Sequence, residues 1–142
     1  MGAFMGELKS LSAPELGAVA IRTAVERAGL KPEAIQEVIM GNVLPAGVGQ
    51  APARQAALGA GLAPATGCMT INKVCGSGMK AAMLGHDLIA LGTHSIMIAG
   101  GMESMSNAPY LLPKARAGLR LGHAEVKDHM FLDGLEDAYD RG

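Results

Sequence analysis

The chain has 142 residues, of which 49% are apolar, enough for one domain with a real core. Its formal charge of −1 gives no electrostatic reason to expect nucleic acid or an anionic membrane as a partner. Two cysteines make no secreted disulfide framework, no Cys-x-x-Cys metal spacing occurs, no apolar run reaches membrane-spanning length, and the N-terminus lacks a signal pattern, so a soluble protein of a reducing, cytoplasmic compartment is expected.

Residues 1–11 read as a loop, broken by Gly2 and Gly6. Ser12-Ala-Pro-Glu15 is a capping box with proline in the first turn, where its missing N–H costs little. It predicts a helix to about Ala28, with Ala18, Ile21, Val25 and Ala28 along one stripe. Gly29 is its expected cap and Pro32 stops it, with a short turn over Pro32 to Gln36. Glu37–Val43 reads as an apolar strand, followed by the breaker run Leu44-Pro-Ala-Gly-Val-Gly49. Pro52–Leu58 predicts a small helix, and Ala65–Val74 a second strand. Ser77 to about Leu91 is apolar nearly all round, which predicts a helix buried between layers. Ser95–Ala99 predicts another buried strand. Residues 102–142 read as long loop with a short helix near Leu135. His123 and His129 stand apart from other ligand types, and a surface or loop role is expected for both. The small basic cluster Lys114, Arg116 and Arg120 reads as a solvated loop able to meet a phosphate-bearing substrate. Strands alternating with helices of this size predict an α/β layered domain with a largely parallel sheet, whose ligands sit at the carboxyl ends of strands.

The stretch Thr70-Ile-Asn-Lys-Val-Cys75-Gly-Ser-Gly78 occupies such an end. It leaves a strand, turns through Gly76-Ser77-Gly78 and opens a helix. A thiol there faces unpaired backbone N–H groups and the positive end of the helix dipole, which favour the anionic nucleophile. The glycines are expected to permit a sharp turn and close approach to a bound group. Cys75 is therefore a candidate nucleophile for acyl groups. Three other readings stand beside it. Gly76-Ser-Gly78-Met-Lys-Ala81 matches G-x-G-x-x-A, and Glu103 follows about 22 residues on as a ribose acid, giving a dinucleotide-binding turn. Ser77-Gly-Met-Lys80 spells S-x-x-K, without the companion S-D-N and K-T-G motifs. Cys75 is otherwise a small residue that merely packs near a helix start.

Ile71-Asn-Lys-Val-Cys75-Gly-Ser-Gly-Met-Lys-Ala81 resembles the acyl-enzyme signature of the thiolases, and Ala99-Gly-Gly-Met-Glu103-Ser-Met-Ser-Asn107-Ala-Pro-Tyr110 resembles a second block of that family. Gly41-Asn-Val-Leu and Gly49-Gln50-Ala-Pro-Ala-Arg54-Gln55-Ala resemble the strand and loop between them. The likeness runs over essentially the whole chain and points to the branch that handles acetoacetyl-CoA. Ala82 departs from it, standing where the family tends to carry a larger aliphatic.

The resemblance implies a layered α/β/α half-domain with a mixed, mostly parallel sheet, incomplete at both ends. Residues 1–104 would belong to the N-terminal domain without its first strand, and 105–142 would begin a loop domain. It implies that Cys75, set in the Gly76-Ser77-Gly78 turn, takes an acyl group from acyl-CoA, with condensation of two acetyl-CoA or thiolytic cleavage of a 3-ketoacyl-CoA. It also implies CoA thioesters as substrates, no metal or organic cofactor, and a homo-oligomer for the complete enzyme. The family's activating histidine, in a Gly-His-Pro setting, and its second cysteine, in Cys-x-Gly-Gly, match nothing here; His86, His94, His123, His129 and Cys68 lie in other settings. These 142 residues alone are therefore expected to be poorly stable and to turn over little.

Overall fold

A computed structural model describes residues 1–140. Helix α1 (Ala13–Arg27) begins where the capping box predicts. The Glu15 N–H donates to Ser12 Oγ at 3.4 Å, and the Ser12 N–H donates to the Glu15 carboxylate at 2.7 Å. The Ser12 backbone and then its hydroxyl hold the Glu15 carboxyl below the usual glutamate range. With the folded value depressed, this contribution is present above the unfolded value and lost as pH falls through the folded one. Ser12→Ala is expected to cost about 1 kcal/mol of unfolding free energy in urea titrations. It should also make the acid limb of the stability profile shallower, because one of the two Ser12 donors is gone. Gly29, at φ +65°, ends the helix in the left-handed conformation expected of a glycine cap.

One face of α1, carrying Gly17, Ala18, Ile21 and Val25, packs on α2 (Pro52–Gly59). Ala51, at the head of α2, offers no side-chain cap. Thr70 replaces it from the neighbouring strand, its hydroxyl accepting from the Ala53 N–H at 3.0 Å. Arg54 and Gln55 tie down the flanking loops. The Arg54 guanidinium donates to the carbonyls of Thr66 and Pro64, and the Gln55 amide to those of Val48 and Gln50.

Three strands, β1 (Glu37–Gly41), β2 (Gly67–Ile71) and β3 (Met97–Gly101), form a parallel sheet in the order β2-β1-β3. In its register Met40 stands level with Thr70 and Gly100. Central β1 is covered on both sides, and Val38 and Ile39 are wholly buried. Val38 and Met40 join the core under α1 and α2, while Gly41 looks onto Ser77 at the start of α3 (Ser77–Ala90). Alternation puts Ile39 on that second face. Burying one such side chain contributes about 1.5–3 kcal/mol. The α/β architecture with helices on both faces is thus as expected.

Several details differ from expectation. The second strand stops at Ile71, because the chain from Asn72 is already committed to the turn before α3. The third lies at Met97–Gly101 rather than 95–99 and forms an edge of the sheet, taking in both glycines. Helix α3 buries only Ser77, Ala81 and Gly85; Met79, Met83 and Ile89 are exposed, because no other described element covers its outer face. Beyond β3, the expected loop contains a small antiparallel ribbon, β4 (Tyr110–Leu111) with β5 (Lys127–Asp128). The short helix near Leu135 is a single wide turn over Phe131–Leu135. Among the described residues no helix is long and apolar enough to cross a membrane.

Candidate active site

The carboxyl ends of all three strands converge on a cleft of about 490 Å³, a size suited to a small-molecule group. Gly41 reaches it from the end of β1 and Leu44 from the loop that follows, Cys75 from the turn after β2, Gly78 from the first turn of α3, and Glu103 from just beyond β3, with Leu135 at its edge. This is the position expected for a ligand in such a sheet.

Cys75 is exposed and sits in a tightly held turn. The Val74 N–H donates to Asn72 Oδ1 at 2.8 Å. Buried Ser77 clasps the turn from below: its Oγ accepts from the Lys73 N–H at 2.7 Å and donates to the Val74 carbonyl at 2.6 Å. The N–H groups of Gly76 and Ser77 close back onto the carbonyls of Lys73 and Val74. These bonds hold Val74 at φ +47°, a left-handed conformation that a β-branched residue avoids. Strain of this kind costs on the order of 1–3 kcal/mol and persists only where the surroundings over-determine it. The sharp bend therefore falls on Val74 and not on the glycines, since Gly76 has φ −86°. Gly76 caps α3 without a side chain, so the Gly78 and Met79 N–H groups of the first turn have no intrahelical acceptor. Ser77 is fully engaged in the clasp, which leaves the S-x-x-K pattern without an available hydroxyl.

Glu103, the ribose acid of the dinucleotide alternative, is committed elsewhere. Its carboxylate accepts from Asn42 Nδ2 at 2.7 Å and from the N–H groups of Val43 and Leu44 at 2.8 and 3.0 Å. It fastens the loop after β1 to the end of β3. Cys68 lies on β2 among core residues, its Sγ 3.6 Å from the Thr66 carbonyl. Burial pushes its thiol up, and neighbouring Arg54 offsets part of that. None of the four histidines lines the cleft.

His129 departs most from its expected surface role, being only 4% exposed. Its Nδ1 lies 2.6 Å from Asp133 Oδ2, and its Nε2 accepts from the Ala46 N–H at 3.4 Å. The sequence signal that was missed is the His-x-x-x-Asp spacing, which places both side chains on one face of a helical turn.

A family model for the thiolase N-terminal domain matches residues 1–142. The chain is 56% identical to acetyl-CoA acetyltransferase of Cupriavidus necator, over 99% of this chain and 36% of that protein. It is 56% identical to acetyl-CoA acetyltransferase 1 of Arabidopsis thaliana, over 98% of this chain and 34% of that one. Against the mitochondrial acetyl-CoA acetyltransferase B of Xenopus laevis it is 52% identical, over 99% of this chain and 33% of that one. It thus spans about a third of the length of the curated relatives it matches. On the strength of this match and of the turn and cleft described above, the chain belongs to the thiolase family, within the part that forms its N-terminal domain.

Proposed function

We propose that this chain carries the acyl-accepting nucleophile of a thiolase-type acyltransferase, with Cys75 as the residue acylated. One observation carries the reading most directly: an exposed thiol, ahead of a helix start that lacks a side-chain cap, lines the cleft where all three strands end. The Cys75 thiolate attacks the carbonyl carbon of an acyl-CoA, the carbon–sulfur bond to CoA breaks, and CoA leaves as a thiolate that takes up a proton. An acetyl group remains on Cys75. A second acetyl-CoA, deprotonated beside its carbonyl, then attacks that acyl carbon. A carbon–carbon bond forms, the bond to Cys75 breaks, and the thiolate is regenerated with acetoacetyl-CoA as product. Run in reverse, the same steps cleave a 3-ketoacyl-CoA with CoA as acceptor. Covalent catalysis splits a difficult condensation into two thioester exchanges.

Each acyl exchange passes through an oxyanion, which N–H donors stabilise. Those of Gly76 and Ser77 already bind carbonyls within the turn, so this duty is left to the N–H of Cys75 itself and to the first-turn N–H groups of Gly78 and Met79. Among the described residues the cleft is lined by no imidazole to activate the Cys75 thiol and by no second cysteine to take the proton beside the carbonyl of the condensing acetyl-CoA. We accordingly expect these 142 residues to accept an acyl group and to condense little. Acyl-CoA and CoA are the partners this chemistry requires. The dinucleotide alternative needs a free acid after β3, and Glu103 is not free.

Intact-mass spectrometry after incubation with acetyl-CoA tests the reading. One acetyl group on Cys75 is expected, absent from Cys75→Ser; equal labelling of the two proteins overturns the proposal. Iodoacetamide at neutral pH should modify exposed Cys75 on the order of tenfold faster than Cys68, whose thiol burial pushes up.

A further inference from the structure

We propose that His129 is a positioning residue that fixes the wall of the Cys75 cleft formed by Leu44, Gly134 and Leu135, and thereby limits the size of the group that reaches the thiol. The limit on acyl size rests on the acyl-transfer reading of Cys75; the wall itself does not.

A buried imidazole in this part of the chain calls for a physical reason, because residues 112–126 around it are all exposed. His129 uses its backbone N–H and both ring nitrogens. Its backbone N–H donates to the Pro109 carbonyl at 3.2 Å. With Nε2 accepting from the Ala46 N–H, the ring proton belongs on Nδ1, which donates to Asp133. One side chain thereby joins the loop after β1 to the turn Phe131–Leu135. That turn is of the wide, five-residue kind, which is rare and recurs at functional positions.

The turn packs against the cleft wall. A Cβ built on Gly134 would stand 3.2 Å from Leu44 Cδ2, so the strap lies directly on the Leu44 side chain. Leu44 is itself fixed, 5% exposed and held through its N–H by Glu103 at 3.0 Å. Leu135 is 55% exposed and has no comparable support of its own. Its place beside the cleft depends on the strap, and the strap is fastened to the β1 loop through His129. The wall therefore has a rigid half, anchored by Glu103, and a half set by His129.

The experiment alkylates Cys75 with iodoacetamide and with N-hexyl iodoacetamide and compares the ratio of their rates in wild type, His129→Asn and His129→Gln. Asparagine can keep the donation to Asp133 but not reach Ala46; glutamine can reach Ala46 with its carbonyl oxygen but gives up Asp133. His129→Asn should raise the relative rate of the hexyl reagent by about threefold or more, as loss of one ordinary hydrogen bond allows. The iodoacetamide rate should change less than about twofold, and His129→Gln should move the ratio back toward wild type. An unchanged ratio in His129→Asn, or equal acceleration of both reagents, overturns the proposal. If His129→Asn fails to fold, His129→Leu, which fills the site but offers no acceptor to the Ala46 N–H, must raise the ratio instead, and an unchanged ratio there is equally decisive. Alkylation requires no acyl transfer, so failure of acetylation with an intact size effect would overturn the acyl-transfer reading alone.

Discussion

Gly41→Ala is expected to lower stability by about 3 kcal/mol and to reduce the rate at which acetyl-CoA acetylates Cys75 by up to about a hundredfold. A Cβ at position 41 would stand 2.5 Å from Ser77 Cβ and 2.9 Å from the Gly78 nitrogen and the Ser77 carbonyl carbon. Two of those three atoms are backbone, so no rotamer change relieves the clash. The start of α3 must retreat from the end of β1. Ser77 would carry its two hydrogen bonds with it, and those bonds hold Val74 in its strained conformation and set the direction of Cys75. Gly76→Ala is the control. Gly76 has φ −86°, and its added Cβ would find only the Lys73 carbonyl at 3.4 Å. Urea titration together with the Cys75 acetylation rate separates the two variants. Similar behaviour of both would refute this account of how the turn is held.

That contrast shows what could be read from the residues and what could not. The capping box at Ser12, the glycine stop at Gly29 and the proline start of α2 are local signals, each acting within one turn of helix, and they mark elements where the structure has them. Cys75 at the end of a strand and the start of a helix was legible for the same reason. The demand for a glycine at 41 was not, because it arises where two segments 36 residues apart in sequence, Gly41 and Ser77, meet in space. Glu103 lay at the spacing of a ribose acid, and only the folded chain shows its carboxylate turned back onto the loop after β1. The periodicity of α3 correctly reports an apolar surface on every side but does not say what covers it. Only the face carrying Ala81 and Gly85 meets the sheet. His129 was misread because its partners, Ala46 and Pro109, are distant in sequence, and the one local clue was the spacing to Asp133.

Glu103→Ala is expected to cost about 3 kcal/mol while leaving the Cys75 turn in place. The carboxylate is the acceptor for three donors: the Val43 N–H, the Leu44 N–H and Asn42 Nδ2. Bonds to an ionised acceptor are worth about 1.5–3 kcal/mol each, and stripping them leaves donors in a partly buried site. Water entering from the cleft restores part of the loss, which keeps the total near the value of one or two bonds. Asn42, 1% exposed, also keeps a weaker bond to the Met102 carbonyl at 3.3 Å. Glu103→Gln should lie between wild type and alanine. A carboxamide retains one acceptor oxygen but turns an NH2 group toward at least one of the three donors. Thermal unfolding measures the cost, and iodoacetamide alkylation of Cys75 should stay within about twofold of wild type, because Glu103 makes no bond to residues 72–78. A larger drop in that rate would mean that the long bond from Asn72 Nδ2 to the Val43 carbonyl, 3.5 Å, carries the loop's displacement into the turn. Glu103 and His129 grip the same loop, at residues 42–44 and at residue 46. Their effects on the size selectivity of the cleft should therefore be non-additive. A double-mutant cycle of Glu103→Gln with His129→Asn is expected to return a coupling of about 0.5 kcal/mol or more, and strict additivity would show the two halves of the wall to be independent.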